Sequence, residues 1–396
     1  MTILARIPGA WVKLVIAGAM ALLCQVVPVM AENGPSWAWF KYDDSIKKEW
    51  VVIDDPTNPK IVTVQPKTEQ TTPLKRVLVL YPRPSSAYDI AITKLLLVFA
   101  AKEMNVRFTA IHFGLNDAEG KAAIKFAQTN RFDLIFSMGS ESTAWLYDNF
   151  RGGSIPVVTV CSKDPVQLGQ MSDYESGSGN NFAFTSLNMV ADAQFAYITH
   201  LRPNLKNLAI LVDSKNVSAV QTQAEPIAAH ATRKGVNVIM GSVENPAQAR
   251  EELVKIVADA VRAMRMTDPS LANSAFLITG STSVFKEIRT INNGAGRVPV
   301  LSMIPEIVTA GEDTAVLATG ISFESNAHLA AIYGTDILTG RAKVGDLKVG
   351  IVSPPDIAIS FLRARQIGMV VPFSFFEAAS FIYDYAGAPV RSTRNE

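Results

Sequence analysis

The chain contains few cysteines and histidines. Its 396 residues include two cysteines, Cys24 and Cys161, and four histidines. The histidines lie far apart, with no H-E-x-x-H motif or other paired spacing, so we expect no zinc site. Only Cys161 remains when the segment from Met1 to Ala31 is set aside, so no intrachain disulfide can form there. The fold must therefore depend on its hydrophobic core, for which 48% hydrophobic residues suffice.

The chain also lacks an excess of either charge. It has 37 Lys and Arg against 36 Asp and Glu, which gives no electrostatic signature of binding to nucleic acid or to an anionic membrane surface. The phosphate-binding motifs G-x-x-x-x-G-K-[ST] and G-x-G-x-x-G are absent. In "GSEST", which starts at Gly139, Thr143 stands where a nucleophile elbow has its second glycine. The stretch from Asp173 differs from an EF-hand calcium loop at its sixth and twelfth positions. We therefore expect no enzymatic activity, no metal and no cofactor.

The segment from Met1 to Ala31 has the pattern of a secretory signal peptide. Arg6 and Lys13 give a basic start, an apolar run extends from Leu14 to Met30, and Ala31 is a small residue at the cleavage position. A retained membrane anchor is the alternative, but the run is short for a spanning helix and contains a proline. Lipid attachment at Cys24 is not supported, because the preceding residue is not small. We expect cleavage near Ala31 and a periplasmic protein of near-neutral charge.

Residues 32–74 are predicted to form a hairpin-like N-terminal appendage and a linker. Two strand-like runs, Trp50 to Ile53 and Ile61 to Val64, are separated by a Pro-Asn turn, and a Thr/Gln/Pro-rich linker follows them. We expect the aromatic residues of this segment to pack onto the neighbouring lobe. Binding to a partner protein is the alternative role.

From Lys75 onward, apolar β-branched runs alternate with amphipathic helical patterns, which indicates a parallel sheet covered on both faces. After the glycine-rich stretch at 173–181, four strand-like runs repeat in the same order. Gly280 in the second copy corresponds to Gly139 in the first, and Pro299 corresponds to Pro156 at almost the same offset. The predicted fold class is therefore α/β, with two similar doubly wound parallel-sheet lobes joined by a multi-strand hinge.

The segment after the second repeat is predicted to return to both lobes. Lobe 1 is expected to contain residues 75–184 and about 318–350, and lobe 2 residues 185–317 and about 351–396. "VGDLKVGIV", at 344–352, is predicted to be a strand. The apolar stretch at 367–382 contains a proline and is too short and too interrupted to span a membrane, so it is expected to be a buried helix and strand.

The ligand-binding site is predicted in the loops that follow matching strands of the two lobes. In open parallel sheets, ligands bind beyond the carboxyl ends of the strands, and two facing lobes would enclose a cleft there. A serine or threonine at such a position often serves only as a helix cap. Position in the loop, rather than residue type, therefore selects the candidates: Tyr81, Ser85, Ser86, Gly139, Ser140, Glu141, Ser142, Ser162, Asp164, Asp213, Gly280, Ser281, Thr282 and Met303.

Four stretches between Lys75 and Tyr385 carry a resemblance to a known family: "FDLIFSMGSESTAW", "IPVVTVCSKDPVQLG", "NNFAFTSLN" and "NAHLAAIYGTDILTGRAKVGDLKV". They resemble the substrate-binding proteins of ABC transporters with the type 1 periplasmic binding fold, in the branch that includes aromatic amino-acid binders. This resemblance implies hinge closure around a small solute and delivery to an ABC permease in the inner membrane. The loops "YPRPSSAYDI" and "TGSTSVFKEI" depart from the phrases expected of an aromatic amino-acid binder, so the solute stays open.

The sequence therefore predicts a monomeric, periplasmic solute-binding component of an ABC importer. Its ligand is expected to be an amino acid or a similar small polar or aromatic molecule, and no nucleic acid partner is expected. The alternative is a periplasmic ligand-sensing protein that partners a membrane sensor kinase. A cytoplasmic repressor is disfavoured, because a hairpin rather than a helix-turn-helix precedes the first lobe.

Overall fold

The computed structural model describes residues 38–68 and 71–392. The predicted signal peptide, with Cys24 and the cleavage position at Ala31, lies outside these residues. Among the residues that the structure describes, no helix is long and apolar enough to cross a membrane.

The first sheet is built from β1 (Trp50–Asp54), β2 (Ile61–Pro66), β3 (Lys75–Tyr81), β4 (Val106–His112), β5 (Leu134–Met138), β6 (Val157–Val160) and β7 (Phe182–Ala183). Its flanking helices include α1 (Ser86–Ala101), α2 (Asp117–Thr129) and α3 (Gly139–Phe150). The spatial order is β1-β2-β4-β3-β5-β6-β7, and the strands from β4 to β7 are parallel. Every residue of β5 and β6 is buried, as expected for strands covered on both faces.

The N-terminal hairpin extends this sheet. Strand β1 pairs antiparallel with β2, and β2 pairs antiparallel with β4. Trp50 is 3% exposed, and its ring contacts the ring of Phe108 edge-on, with centroids 5.5 Å apart. Its Nε1 also donates a hydrogen bond of 3.2 Å to the carbonyl oxygen of Leu96. Both predicted strand-like runs therefore form strands, and the aromatic residue at the start of β1 packs onto the first lobe.

The remaining strands are β8 (Thr185–Ser186), β9 (Asn207–Asp213), β10 (Asn237–Val243), β11 (Ser274–Ile278), β12 (Val300–Ser302), β13 (Leu317–Gly320), β14 (Gly350–Ile351), β15 (Asp356–Ser360), β16 (Phe381–Tyr383) and β17 (Pro389–Arg391). The remaining α-helices are α4 (Ala191–Leu201), α5 (Val217–Ala219), α6 (Glu225–Arg233), α7 (Ala249–Thr267), α8 (Thr282–Phe285), α9 (Ile288–Ala295), α10 (Phe323–Leu338), α11 (Phe361–Ile367) and α12 (Phe373–Ala378). The second sheet has the order β10-β9-β11-β12-β13-β15-β16-β17, and β8 pairs separately with β14.

The two sheets repeat one plan, which confirms the predicted fold class. The order β4-β3-β5-β6-β7 in the first sheet corresponds, strand for strand, to β10-β9-β11-β12-β13 in the second. The four pairs of strands recognised in the sequence occupy equivalent places in the two sheets. Their carboxyl ends are therefore the ends from which the candidate binding loops emerge.

The described chain passes between the lobes at 186–191, 320–323 and 351–356. Strand β13 pairs with β12 and β15 in the second sheet, whereas α10 packs against α1 in the first lobe. An ion pair of 3.1 Å between Lys94 Nζ and Glu324 Oε1 joins these two helices. These crossings join the two lobes and form the hinge.

One predicted strand near the hinge is wrong over most of its length. Within 344–352, Val344–Asp346 is a 3₁₀ turn and only Gly350–Ile351 is a strand. The partner strand, Thr185–Ser186, is itself very short, so the ladder cannot extend further. The apolar stretch at 367–382 forms a helix, α12, followed by a strand, β16. The strand is mostly buried as predicted, but the prediction of a buried helix is wrong, because this six-residue helix buries only Phe375 and leaves Phe373 68% exposed.

Candidate ligand-binding site

Loops from the carboxyl ends of both sheets meet at a small cavity between the lobes. The first lobe contributes the loops after β3, β5 and β6, and the second contributes those after β9 and β11. This inner cavity has a volume of about 50 Å³, enough for no more than a few water molecules. Its walls are formed by Arg83, Ser85, Ala87, Tyr88, Ser140, Glu141, Cys161, Lys163, Leu187, Asn216, Ser218, Gly280, Thr282, Phe285 and Phe323.

A larger outer cavity of about 480 Å³ adjoins it. Arg83, Asn216 and Thr282 line both cavities, so the two form a continuous region between the lobes. The outer cavity alone has the volume typical of a small-molecule pocket. Its other walls come mainly from the second lobe and include Asp213, Arg250 and Lys286.

Six of the predicted site residues reach these cavities. Five line the inner cavity: Ser85, Ser140, Glu141, Gly280 and Thr282. The sixth, Asp213, lines the outer cavity. Both copies of the repeated strand–turn–helix motif therefore contribute, because Ser140 and Glu141 follow β5 and Gly280 and Thr282 follow the equivalent β11.

The structure does not bring the other predicted residues to either cavity: Tyr81, Ser86, Gly139, Ser142, Ser162, Asp164, Ser281 and Met303. Several of them hold the loops in place instead. Ser142 Oγ is fully buried and hydrogen-bonds to Ser137 Oγ at 3.1 Å. Ser281, which follows Gly280 in the second lobe, is also fully buried, and its Oγ accepts a hydrogen bond of 3.3 Å from the backbone N–H of Asp213.

Asp164 caps the loop that follows β6. Its Oδ1 accepts hydrogen bonds from the backbone N–H groups of Val166 and Gln167, at 2.9 and 3.0 Å. Its Oδ2 accepts a hydrogen bond of 2.6 Å from the hydroxyl of Tyr174. The Asp164 carboxylate therefore accepts these hydrogen bonds from residues near it in the chain. They fix the backbone immediately beside the inner cavity.

Sequence reasoning found Glu141 but missed the two cationic residues of the inner cavity, Arg83 and Lys163. Arg83 Nη2 lies 3.0 Å from Glu141 Oε2, which forms an ion pair within the first lobe. Lys163 lies between two predicted residues, Ser162 and Asp164, and it is the one whose side chain enters the cavity. The sequence signal for Lys163 is its position in a loop that follows a strand. The same criterion points to Ser162 and Asp164.

Lys163 links the two lobes. Its backbone N–H donates a hydrogen bond of 2.9 Å to Ser140 Oγ in the first lobe. Its Nζ donates a hydrogen bond of 3.3 Å to the carbonyl oxygen of Gly280 in the second lobe. The backbone N–H of Gly280 in turn donates to Gln223 Oε1 at 2.8 Å. The cleft loops of the first and second lobes are therefore in direct contact.

Burial changes the acid–base properties of this region. It lowers the pKa of the Lys163 ammonium to about 8, although Cys161 and Glu141 nearby raise that pKa and only Arg83 lowers it further. Burial raises the pKa of the Cys161 thiol and of the Tyr88 hydroxyl, so both stay protonated at neutral pH. Within the described residues, no group of histidine, cysteine and acidic side chains is arranged to hold a metal ion.

Two similar α/β lobes, joined by a hinge and facing each other through the loops at their strand ends, define a two-lobed solute-binding protein of the type 1 periplasmic class. A family model described as "ABC transporter substrate binding protein" matches residues 101–380. The chain belongs to this family, which confirms the resemblance seen in its sequence. Members of the family bind small molecules and deliver them to ABC permeases. Comparison with curated proteins found no match for the chain.

Several solved structures share the fold. One is the ABC domain from Streptococcus pneumonia in complex with L-Trp, with 16% identity and a TM-score of 0.62, covering 78% of this chain and 100% of that one. Another is a conserved domain protein from Vibrio cholerae, with 18% identity and a TM-score of 0.61, covering 78% and 99%. A third is the ligand-free, open form of CD0873 from Clostridium difficile, a substrate-binding protein with adhesive properties, with 16% identity and a TM-score of 0.58, covering 81% and 100%. At these identities the likeness shows the fold alone.

Proposed function

We propose that this protein is the periplasmic solute-binding component of an ABC importer. It captures a small solute between its lobes and presents the closed form to a membrane permease. The observation that carries the proposal is the meeting of equivalent loops from both lobes at one region, in a chain that belongs to the substrate-binding family. An amino acid or a similar small polar or aromatic molecule suits the size of the outer cavity and its polar walls.

The mechanism is a shift in population between open and closed arrangements of the lobes. A solute held by loops of both lobes makes more contacts when they are closed, so it stabilises the closed arrangement. The hinge segments at 186–191, 320–323 and 351–356 absorb the change in angle, and the two sheets move as rigid bodies. The direct contact between Lys163 Nζ and the Gly280 carbonyl oxygen is one of the contacts that opening breaks.

The test is whether the protein binds a solute at this place. Native mass spectrometry of protein released from the periplasm of expressing cells identifies a co-purified solute, and a thermal-shift screen of amino acids follows. Binding at a hundred times Kd adds about 2.7 kcal/mol to the apparent stability of the protein. We expect Thr282→Trp, which places a bulky ring where the two cavities meet, to abolish binding. Thr232 is exposed on α6, so Thr232→Trp is a matched control that should bind like the wild type.

The importer role needs a separate measurement. Deleting the gene should reduce uptake of the identified solute by whole cells. Binding with unchanged uptake would favour the sensing role over transport. Equal binding by Thr282→Trp and Thr232→Trp would contradict the location of the site.

A further inference from the structure

The inner cavity contains a buried cation that lacks an ionic partner. Lys163 is 7% exposed. The hydrogen bond to the Gly280 carbonyl oxygen is its side-chain contact across the cavity. Among the residues that the structure describes, no carboxylate lies within ion-pair distance of its Nζ, although an ammonium group has three protons to donate. Most of its hydrogen-bonding capacity therefore faces the cavity.

The charges around the inner cavity do not balance. Its walls carry two cationic side chains, Arg83 and Lys163, and one anionic side chain, Glu141. Arg83 and Glu141 already form an ion pair, with 3.0 Å between Arg83 Nη2 and Glu141 Oε2. Lys163 is left with one uncompensated positive charge in a space from which water is largely excluded. A buried charge of this kind is unfavourable unless it is paired.

The buried charge of Lys163 lowers the stability of the folded protein. Burial lowers the pKa of Lys163 to about 8, so the ammonium form still predominates at neutral pH but is disfavoured relative to a lysine in water. An apolar side chain of similar length would fill the same place without that cost. Groups that are retained in spite of such a cost are concentrated at functional sites.

We propose that the solute carries an anionic group, such as a carboxylate, and that Lys163 is the residue that selects it by pairing its Nζ with that group. This inference rests on the proposed function and specifies the chemical class of the solute. The anion replaces the Gly280 carbonyl oxygen as the main acceptor for the ammonium. An uncharged polyol or sugar leaves Lys163 without an ionic partner, so the cleft discriminates against it.

The pairing also couples recognition to closure. Lys163 belongs to the loop after β6 in the first lobe, and Gly280 belongs to the loop after β11 in the second. An anion seated at Lys163 Nζ lies within reach of the Gly280 loop, which is immobilised by the hydrogen bond of its N–H to Gln223 Oε1. Because the two walls belong to different lobes, water is excluded from the Lys163 ammonium only in the closed arrangement. The ion pair between Lys163 and the anion is strongest where water is excluded, so it favours closure.

The test compares Lys163→Met with Lys125→Met. Both remove one positive charge from the first lobe, but Lys125 is exposed on α2 and lines neither cavity. The probes are L-tryptophan and L-tryptophanamide, L-leucine and L-leucinamide, succinate, inorganic phosphate and myo-inositol, together with any solute found by native mass spectrometry. We expect carboxylates or phosphate to bind in preference to the amides and to myo-inositol. For a bound anion, we expect Lys163→Met to weaken affinity by at least about 30-fold, and Lys125→Met by less than about threefold.

The pH dependence of affinity is an independent readout. The charged or titratable groups that face Lys163 across the inner cavity are Arg83, Glu141, Cys161 and Tyr88. Burial raises the pKa of the Cys161 thiol and of the Tyr88 hydroxyl, so both stay neutral over the range of the measurement. Affinity for succinate or phosphate should therefore fall as the pH rises above about 8, where Lys163 loses its proton, and Lys163→Met should remove this dependence.

Different results would overturn different claims. Tight binding of an uncharged solute that Lys163→Met leaves unchanged would overturn the anion inference but not the solute-binding function. Equal losses in Lys163→Met and Lys125→Met would also overturn it, because they would show a general effect of charge. Failure of every probe to bind, with no co-purified solute, would overturn both the inference and the proposed function.

Discussion

Replacing Lys163 with methionine should make the protein more stable. The pKa of the ammonium falls from its usual 10.5 to about 8, mainly because of burial. At about 1.4 kcal/mol for each pKa unit, burying the charged form costs about 3 kcal/mol relative to the neutral form. The variant also loses the hydrogen bond to the Gly280 carbonyl oxygen, which contributes about 1–2 kcal/mol. The net gain at pH 7 is therefore about 1–2 kcal/mol.

The sign of the effect depends on pH. Because the folded pKa is the lower one, the unfolded chain binds more protons at Lys163 between pH 8 and 10.5, and wild-type stability rises with pH in that window. Below pH 8 the wild type bears the full cost of the buried charge. The advantage of Lys163→Met should thus be greatest near pH 7 and should shrink as the pH approaches 10.

Urea denaturation of the dialysed proteins at pH 7 and at pH 9.5 measures both effects. Lys286→Met is the control, and its free energy of unfolding should stay within about 0.5 kcal/mol of the wild type because the side chain is exposed. A loss of more than about 1 kcal/mol in Lys163→Met at pH 7 would refute the reasoning. It would mean that Lys163 is a structural link between the lobes rather than a charge held for a solute.

Two other substitutions test the packing that positions the site. Gly139 has a φ of +76°, and a Cβ there would collide with the hydroxyl of Tyr88, so Gly139→Ala should lower the free energy of unfolding by at least about 2 kcal/mol. Gly152 has a φ of +78° with open space around it, so Gly152→Ala should cost only about 1 kcal/mol, and equal losses in thermal denaturation would contradict the predicted collision. Trp50→Ala should cost about 3–5 kcal/mol if the hairpin is part of the first lobe's core, whereas Val51→Ala, on the exposed face of the same strand, should cost much less. A Trp50→Ala protein with wild-type stability in urea would show that the hairpin is an independent appendage.

The architecture of the lobes could be predicted because it depends on local, repeated patterns. Apolar β-branched runs such as those of β5 and β6 are buried on both faces, and that composition is visible without knowing which strands pair. The repeat then indicated that both lobes follow one order. The strand predicted at 344–352 failed because its length was limited by its short partner β8, which lies far earlier in the chain.

The candidate site could be predicted only to the level of its loops. The loop after β6 lines the inner cavity, but the sequence pointed to Ser162 and Asp164 in this loop rather than to Lys163. Cys161, at the start of this loop, has a φ of +54°, and this left-handed turn determines which of the following side chains enter the cavity. Ser162 is buried away from the cavity and Asp164 caps its own loop, so Lys163 is directed into it.

The sequence by itself determined most of the secondary structure, the duplication and the edge of each sheet from which the candidate loops emerge. These follow from the periodicity of apolar residues, which is set by burial of each strand and helix separately. Only the tertiary structure decided that Lys163 of one lobe meets Gly280 of the other, that Arg83 neutralises Glu141, and that one positive charge is left over. Those contacts join loops that are distant in the chain, and they depend on backbone turns and on the packing of one lobe against the other, neither of which local sequence patterns encode.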